Sequence, residues 1–157
     1  MNVYVDSSVL LRIVLNERGA LREWRRIDRP LASELIRLEC RRTIDRARIR
    51  ERLSDRALAQ QRAAVLGVLD TFHILPLDTV ILERAAEPFP TLLSSLDAIH
   101  LATAVLARAQ VEDLYFATHD GELGTAARAM GFEVLGVPPP RARDARNVRH
   151  SRRRGAA

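Results

Sequence analysis

The chain has 157 residues and a formal net charge of +5, and all 25 of its basic residues are arginine. Because lysine is absent, P-loop nucleotide hydrolysis, Schiff-base catalysis and pyridoxal-phosphate chemistry cannot proceed here with their usual residue. Hydrophobic residues make up 47 % and charged residues 29 %, a composition typical of one globular domain with a sizeable core.

Strand-forming and helix-forming segments alternate in the first half of the chain. Val3, Tyr4 and Val5 are a short β-prone run typical of a buried strand, and the serines after Asp6 favour a helix start. The pattern predicts, in order, a strand over 2–6, helices over 9–15 and 17–27, a strand over 30–32, and helices over 33–50 and 54–70. Ser33 is expected to cap the long helix that follows it.

The second half continues the alternation and decides the fold class. The pattern predicts, in order, a strand over 73–77, helices over 78–87 and 95–107, a strand over 114–117, a helix over 120–130 and a strand over 133–137. Such an alternation predicts an α/β domain with a mostly parallel central sheet. Right-handed crossovers place helices on both faces of that sheet, and ligands bind at the carboxyl ends of its strands.

The basic character of the chain is concentrated near its C-terminal end. Residues 138–157 hold seven arginines and one aspartate, a net charge of +6, whereas residues 1–137 hold 18 arginines and 19 acidic residues. We therefore predict an α/β domain over residues 1–137 and a disordered, Pro/Arg-rich tail over residues 138–157.

Cysteine usage and hydropathy indicate the compartment. Cys40 is the only cysteine, so no internal disulfide can form, and a reducing compartment is expected. Asp6 interrupts the first apolar run, which argues against a signal peptide, and no run approaches the ~18 residues of a membrane span. We expect a cytoplasmic protein with no membrane segment, and Cys40 as an inert buried residue.

Four acidic residues stand where a shared site is possible. Singly, Asp6 and Asp120 could cap helices, and Asp97 could interact with a helix dipole. Glu39 lies at the edge of the apolar stripe of its helix, where a surface glutamate is the ordinary expectation. Jointly, two of the four follow strands and two lie near helix starts, so all four can meet at one rim of the sheet.

Carboxylates gathered at one rim repel each other. At ~4 Å and an effective dielectric constant of ~20, each pair costs about 4 kcal/mol, so either the pKa values rise or a cation lies among them. Oxygen ligands select a hard ion, which predicts Mg²⁺ or Mn²⁺. The four histidines lack zinc-ligand spacing, and His100, on an apolar helix, is expected to be a hydrogen-bonded core residue.

Each of the four acids lies in a distinct sequence segment. The segments are VYVDSSVLL at 3–11, SELIRLECRR at 33–42, SLDAIHLATA at 95–104 and ATHDGELGTAARAMGFEV at 117–134. In order and spacing they resemble the motif blocks of PIN-domain ribonucleases, and in particular the bacterial VapC toxins of type II toxin–antitoxin modules. The resemblance covers residues 1–137 and implies a PIN-like three-layer α/β/α fold and a metal-dependent endoribonuclease.

The resemblance also implies roles for individual residues. Ser7 and Thr118 match the family's small hydroxyl residues beside the first and last acids, and we expect them to support the site. We expect the three aspartates to hold one or two ions, and Glu39 to hold a second ion or to orient the attacking water. The expected catalytic and metal-binding residues are Asp6, Glu39, Asp97 and Asp120.

The partners follow from the same resemblance. It implies RNA as the substrate, a cognate VapB-type antitoxin that blocks the acidic site, and a homodimer. Arg42 and Arg46 project on the same side of their helix as Glu39 and could contact RNA phosphates, although their arginine-rich stretch is also typical of a solvated helix face. The tail over residues 138–157 is open to the same two interpretations.

Two other functions remain open at this stage. One is a PIN-like nuclease with a housekeeping role in RNA processing, and the other is a non-catalytic module that binds RNA or protein and retains only the fold. Growth arrest on expression without antitoxin separates a toxin from the first alternative, and EDTA-sensitive cleavage separates an enzyme from the second.

Overall fold

The computed structural model of the chain describes residues 1–139, which contain five strands, six α-helices and one 3₁₀ helix. The strands are β1 (Asn2–Val5), β2 (Arg29–Ser33), β3 (His73–Leu75), β4 (Leu114–Ala117) and β5 (Val134–Leu135). The α-helices are α1 (Ser7–Val14), α2 (Leu35–Glu51), α3 (Asp55–Leu69), α4 (Thr79–Ala86), α5 (Ser95–Arg108) and α6 (Gly121–Ala129). The 3₁₀ helix covers Arg22–Arg26.

The strands form one sheet in the order β3-β2-β1-β4-β5, and every neighbouring pair is parallel. Alternation along β1 shows how this sheet is covered: Val3 and Val5 pack into one apolar cluster, and Tyr4 packs into the other. A strand buried on both faces needs an apolar run, which is the pattern that predicted it. The predicted α/β fold with a parallel central sheet is confirmed.

Helices cover both faces of the sheet and complete the three layers. On one face, α1, α2 and α3 contribute apolar residues, including the i, i+4, i+8 series Ile36, Cys40 and Ile44 of α2. On the other face, Leu101 of α5 and Leu123 of α6 pack around Tyr4 and Phe116. The Tyr4 ring stacks on Phe116 with a centroid distance of 5.3 Å, so the centre of this layer is closely packed.

The strand order positions a crevice at one edge of the sheet. The chain moves outward from β1 to β2 and β3, then returns to the other side of β1 for β4 and β5. Such a reversal opens a crevice at the carboxyl ends of the central strands. Asp6 directly follows β1, and Thr118 directly follows β4, so both residues lie at this crevice.

The predicted helix over residues 17–27 is wrong. Asn16 has a φ of 52° and Gly19 a φ of 78°, and these left-handed conformations turn the chain after α1 and prevent a continuous helix. Only Arg22–Arg26 is helical, as a 3₁₀ turn. Its Trp24 is partly buried against the core, with the ring centroid 6.2 Å from that of Phe72.

One predicted cap is also displaced. Ser33 is the last residue of β2, in register with Leu75 of β3, so its backbone continues the sheet and does not cap α2. Helix α2 begins after Glu34, which makes no side-chain cap. Helix α5 begins at Ser95, as predicted, and the Ser94 hydroxyl caps it by accepting the N–H of Asp97.

Beyond residue 139, the chain lies outside the described part of the structure. The predicted tail over residues 138–157 therefore falls outside it except for its first two residues. Within residues 1–139, no helix is both long and apolar enough to cross a membrane.

Candidate active site

Asp6 is a buried carboxylate held by hydroxyl groups. It stands at the N-cap position of α1, but its side chain makes no capping hydrogen bond, so helix capping does not explain it. Its Oδ2 instead accepts hydrogen bonds from Ser8 Oγ at 2.5 Å and from Thr118 Oγ1 at 2.9 Å. The residue is only 5 % exposed, so these donors take the place of the water that an exposed carboxylate would contact.

Ser8 supports Asp6 more closely than the predicted Ser7 does. The Ser7 hydroxyl lies 3.5 Å from Asp6 Oδ1, which is longer than the usual range of an O–H···O hydrogen bond. Ser8 also accepts the backbone N–H of His119 at 3.0 Å, so it connects the ends of β1 and β4. Ser7 and Ser8 are the two residues after Asp6, so the sequence does not show which hydroxyl is closer to the carboxylate. The backbone conformation at the start of α1 decides this.

Asp120 combines a structural contact with a position in the crevice. Its Oδ1 caps α6 by accepting the backbone N–H groups of Glu122 and Leu123, both at 2.8 Å. Its own N–H donates to Thr118 Oγ1 at 2.9 Å. Thr118 therefore joins Asp6 and Asp120, donating to one and accepting from the backbone of the other. The capping explanation applies to one oxygen of Asp120.

Asp97 lies in the first turn of α5, where the cap residue Ser94 donates its hydroxyl to Asp97 Oδ2 at 2.7 Å. Burial raises the pKa of Asp97, while the Ser94 hydrogen bond lowers it. The charges of Asp120 and Asp6 raise the pKa of Asp97 further. The prediction that the three aspartates share one rim of the sheet agrees with this arrangement.

Glu39 reaches the same place from α2 and contacts His100 of α5. His100 Nε2 lies 2.6 Å from Glu39 Oε2 and 3.6 Å from Asp6 Oδ1. The other ring nitrogen, Nδ1, lies 3.0 Å from the hydroxyl of Tyr4. His100 is completely buried, so the prediction of a hydrogen-bonded core histidine is confirmed. Sequence reasoning missed its contact with Glu39, which the i, i+3 spacing from Asp97 on α5 could have indicated.

The ionic neighbours of His100 determine its charge. Burial works against the imidazolium form, but Tyr4, the hydrogen bond to Glu39 and the charge of Asp6 together raise the pKa of His100 to about 10. Burial, with the charges of Glu39 and Asp6, also raises the pKa of the Cys40 thiol to about 12. Cys40 therefore stays protonated, as expected for an inert core residue.

The donor set fits a hard divalent cation. Within residues 1–139, no arginine forms an ion pair with any of the four acids, and His100 is their only ionic partner. Asp6, Glu39 and His100 each place one potential ligand atom within 4.8 Å of those of the other two. His100 and Glu39 cannot both be ligands at their present spacing, since adjacent ligands ~2.1 Å from an octahedral ion lie about 3 Å apart. The carboxylate oxygens are thus the natural ligands.

A cleft of about 530 Å³ opens beside the acids, between α1 and α2. Glu39 contributes to its lining, together with the exposed Arg42 and Arg46. The exposed leucines Leu38 and Leu96 flank the same cleft. Arg42 and Arg46, which were predicted to project on the side of Glu39, therefore line the same cleft as Glu39.

Comparison with known proteins gives consistent matches. A family model described as PIN domain matches residues 3–129. Ribonuclease VapC46 of Mycobacterium tuberculosis is 33 % identical over 137 residues, which cover 85 % of this chain and 95 % of that protein. A toxin–antitoxin complex from Klebsiella pneumoniae matches with a TM-score of 0.59 and 21 % identity, covering 89 % of this chain and 98 % of that one.

A second solved structure supports the same fold. VapBC2 from Rickettsia felis, bound to a DNA fragment from its promoter, matches with a TM-score of 0.60 and 9 % identity. The match covers 86 % of this chain and 99 % of that one. At these identities the two structures establish a common fold, whereas the sequence matches establish a family relationship.

Proposed function

The chain belongs to the PIN domain family, and from this premise we propose that it is a metal-dependent endoribonuclease and the toxin of a VapBC-type toxin–antitoxin module. The observation that carries the proposal is the group of carboxylates at one rim of the sheet, none of them paired with an arginine within residues 1–139. The relative named Ribonuclease VapC46 supports the nuclease activity, and the two matching toxin–antitoxin complexes support the module.

The cofactor in this proposal is Mg²⁺ or Mn²⁺. Asp6, Asp97 and Asp120 would hold the ion or ions, and Glu39 would hold a second ion or orient the attacking water. A bound divalent ion lowers the pKa of a water molecule and neutralises charge on the phosphate oxygens of the RNA. The support for this choice is an all-oxygen donor set in which the charges of Asp120 and Asp6 raise the pKa of Asp97.

The residues of the chain prepare this site by orienting the carboxylates. Ser8 and Thr118 donate to Asp6 Oδ2, while its Oδ1 lies 3.6 Å from His100 Nε2. Thr118 also links Asp6 to Asp120. Oriented donors of this kind reduce the reorganisation needed when a substrate phosphate arrives. We assign supporting roles to Thr118 and Ser8, with Ser7 as a weaker contributor.

Arg42 and Arg46 would bind RNA in the cleft beside Glu39. We expect Arg42→Ala to raise KM for an RNA oligonucleotide several-fold and leave kcat nearly unchanged, because a phosphate contact is lost away from the reacting bond. The slope of log KM against log salt should fall by about 0.7, the value for one contact to a single strand. Arg25→Ala, which changes an exposed arginine of the 3₁₀ helix, is the matched control. It should leave KM and the salt dependence of KM unchanged.

The proposed partners are a VapB-type antitoxin, which would block the acidic site, and a second copy of the chain in a homodimer. Expression without antitoxin tests the toxin assignment. We expect growth arrest with cleavage of a discrete RNA, no arrest with Asp6→Asn, and relief of arrest when the antitoxin is co-expressed. Mapping RNA 5′ ends after induction identifies the target.

The same experiment distinguishes the other functions. Cleavage of RNA without growth arrest would favour a housekeeping PIN-like nuclease. Arrest that persists with Asp6→Asn, with no RNA cleaved, would favour a non-catalytic binding module and contradict the proposal.

A further inference from the structure

Tyr4 and His100 form a hydrogen-bonded chain that runs from the core to the acidic site. The Tyr4 hydroxyl lies 3.0 Å from His100 Nδ1, and His100 Nε2 lies 2.6 Å from Glu39 Oε2. We propose that Tyr4 and His100 are positioning residues that hold the Glu39 carboxylate in its working orientation. This inference rests on the nuclease function proposed above.

The direction of the hydrogen bond to Glu39 follows from its chemistry. An ionised carboxylate has only acceptor atoms, so the proton in this bond belongs to His100 Nε2, whether the ring is neutral or charged. The bond holds one oxygen of Glu39 and leaves the other without a hydrogen-bond partner within residues 1–139. A glutamate on a helix flank otherwise has several rotamers, and this contact selects one of them.

The far end of the chain is anchored by rigid groups. The backbone N–H of Ser33, at the end of β2, donates to the Tyr4 hydroxyl at 3.3 Å. The Tyr4 ring stacks on Phe116, and both rings are completely buried. The phenol therefore cannot turn away from His100 without disturbing the centre of the sheet. Tyr4 of β1, His100 of α5 and Glu39 of α2 thus have a fixed relative placement.

The burial of Tyr4 and His100 indicates that their polar groups serve the acidic site. Tyr4 and His100 are each 0 % exposed, and polar groups in a core cost stability unless they are fully hydrogen-bonded. Apolar residues of similar volume could fill the same space without this requirement. Beyond its bond to Tyr4, the imidazole contacts only Glu39 and, at 3.6 Å, Asp6 among the ionic groups of residues 1–139. The chain is therefore directed at the acidic site.

The variant Tyr4→Phe tests the proposal because it removes one hydroxyl and keeps the stacked ring. Loss of a group that orients a metal-site residue typically costs 10–100-fold in metal affinity or activity. We expect Tyr4→Phe to weaken Mn²⁺ binding about 10-fold, measured by calorimetry, and to lower kcat by a similar factor without raising KM for RNA. Tyr115→Phe is the matched control, because the hydroxyl of this second tyrosine makes no hydrogen bond within residues 1–139.

A double-mutant cycle shows whether the effect passes through Glu39. We expect Tyr4→Phe to weaken Mn²⁺ binding in the wild-type background and to have almost no further effect in the Glu39→Gln background. An equal loss in both backgrounds, or a fall in Tm with unchanged Mn²⁺ affinity and kcat, would overturn the proposal. A second pair of variants tests the proposal if Tyr4→Phe folds poorly. His100→Gln, which retains a hydrogen-bond donor for Glu39, should keep more activity than His100→Leu.

Failure of this proposal and failure of the nuclease function give different results. If Asp6→Asn and Asp97→Asn both leave RNA cleavage intact, the proposed active site is wrong and the positioning role falls with it. If Asp6→Asn abolishes cleavage while Tyr4→Phe and His100→Leu behave as wild type, only the positioning role is wrong.

Discussion

We expect Asp6→Asn to abolish RNA cleavage. The loss in kcat/KM should be at least about 10³-fold, which corresponds to roughly 4 kcal/mol of transition-state stabilisation. The substitution keeps the size of the side chain and an acceptor for the hydroxyls of Ser8 and Thr118. It removes the charge that holds the ion, so chemistry fails while the fold remains. Removing one of several repelling carboxylates should leave Tm unchanged or slightly higher. Cleavage of a labelled RNA and thermal denaturation measure the two effects.

The control for this prediction is an aspartate with a purely structural contact. Asp78 caps α4 by accepting the N–H of Ile81 at 2.9 Å, and asparagine is an equally good cap. Asp78→Asn should therefore retain full activity and stability. Asp97→Asn should repeat the loss seen with Asp6→Asn. Wild-type cleavage by both Asp6→Asn and Asp97→Asn would disprove the assignment.

Removal of divalent ions should have an equally large effect. We expect EDTA to reduce RNA cleavage to background and Mg²⁺ or Mn²⁺ to restore it, because the carboxylates need a cation to neutralise them and to act on the phosphate. The same ion should stabilise the fold: at 100 times its Kd, binding contributes about 2.7 kcal/mol, or roughly 5–10 °C in Tm for a chain of this size.

Variants connect this stabilisation to the acidic site. Asp6→Asn should lose the rise in Tm on adding Mn²⁺, whereas Asp78→Asn should keep it. An enzyme that cleaves RNA at an undiminished rate in EDTA would show that the reaction does not need the carboxylates as ion ligands. A rise in Tm that persists in Asp6→Asn would place the bound ion elsewhere on the molecule.

Much of this architecture follows from local patterns in the chain. The β-prone run at Val3–Val5 and the apolar series of α2 depend only on periodicity, so they predict a buried strand and a helix packed on it. Asp6 follows β1 directly and Asp120 follows β4 after two intervening residues, so a parallel sheet must bring both to one edge. The acids at the site could therefore be predicted before any contact was known.

Prediction failed where a conformation depends on more distant residues. Helix propensity favoured a helix over residues 17–27, but left-handed conformations at Asn16 and Gly19 divert the chain there. Ser33 has the composition of a cap, yet its pairing with β3 makes it the end of a strand. At Ser33, pairing within the sheet outweighs a local preference worth less than about 1 kcal/mol per residue.

The sequence by itself determined the fold class and the positions of Asp6 and Asp120 near strand ends, because these depend on periodicity and on which residues follow strands. Only the tertiary structure decided that Ser8 makes the closer contact with Asp6 and that His100 holds Glu39. His100 and Glu39 are 61 positions apart, and His100 and Tyr4 are 96 apart. A hydrogen bond requires its atoms to be placed to within a few tenths of an ångström, and across such separations only the packing of β1, α2 and α5 supplies that placement.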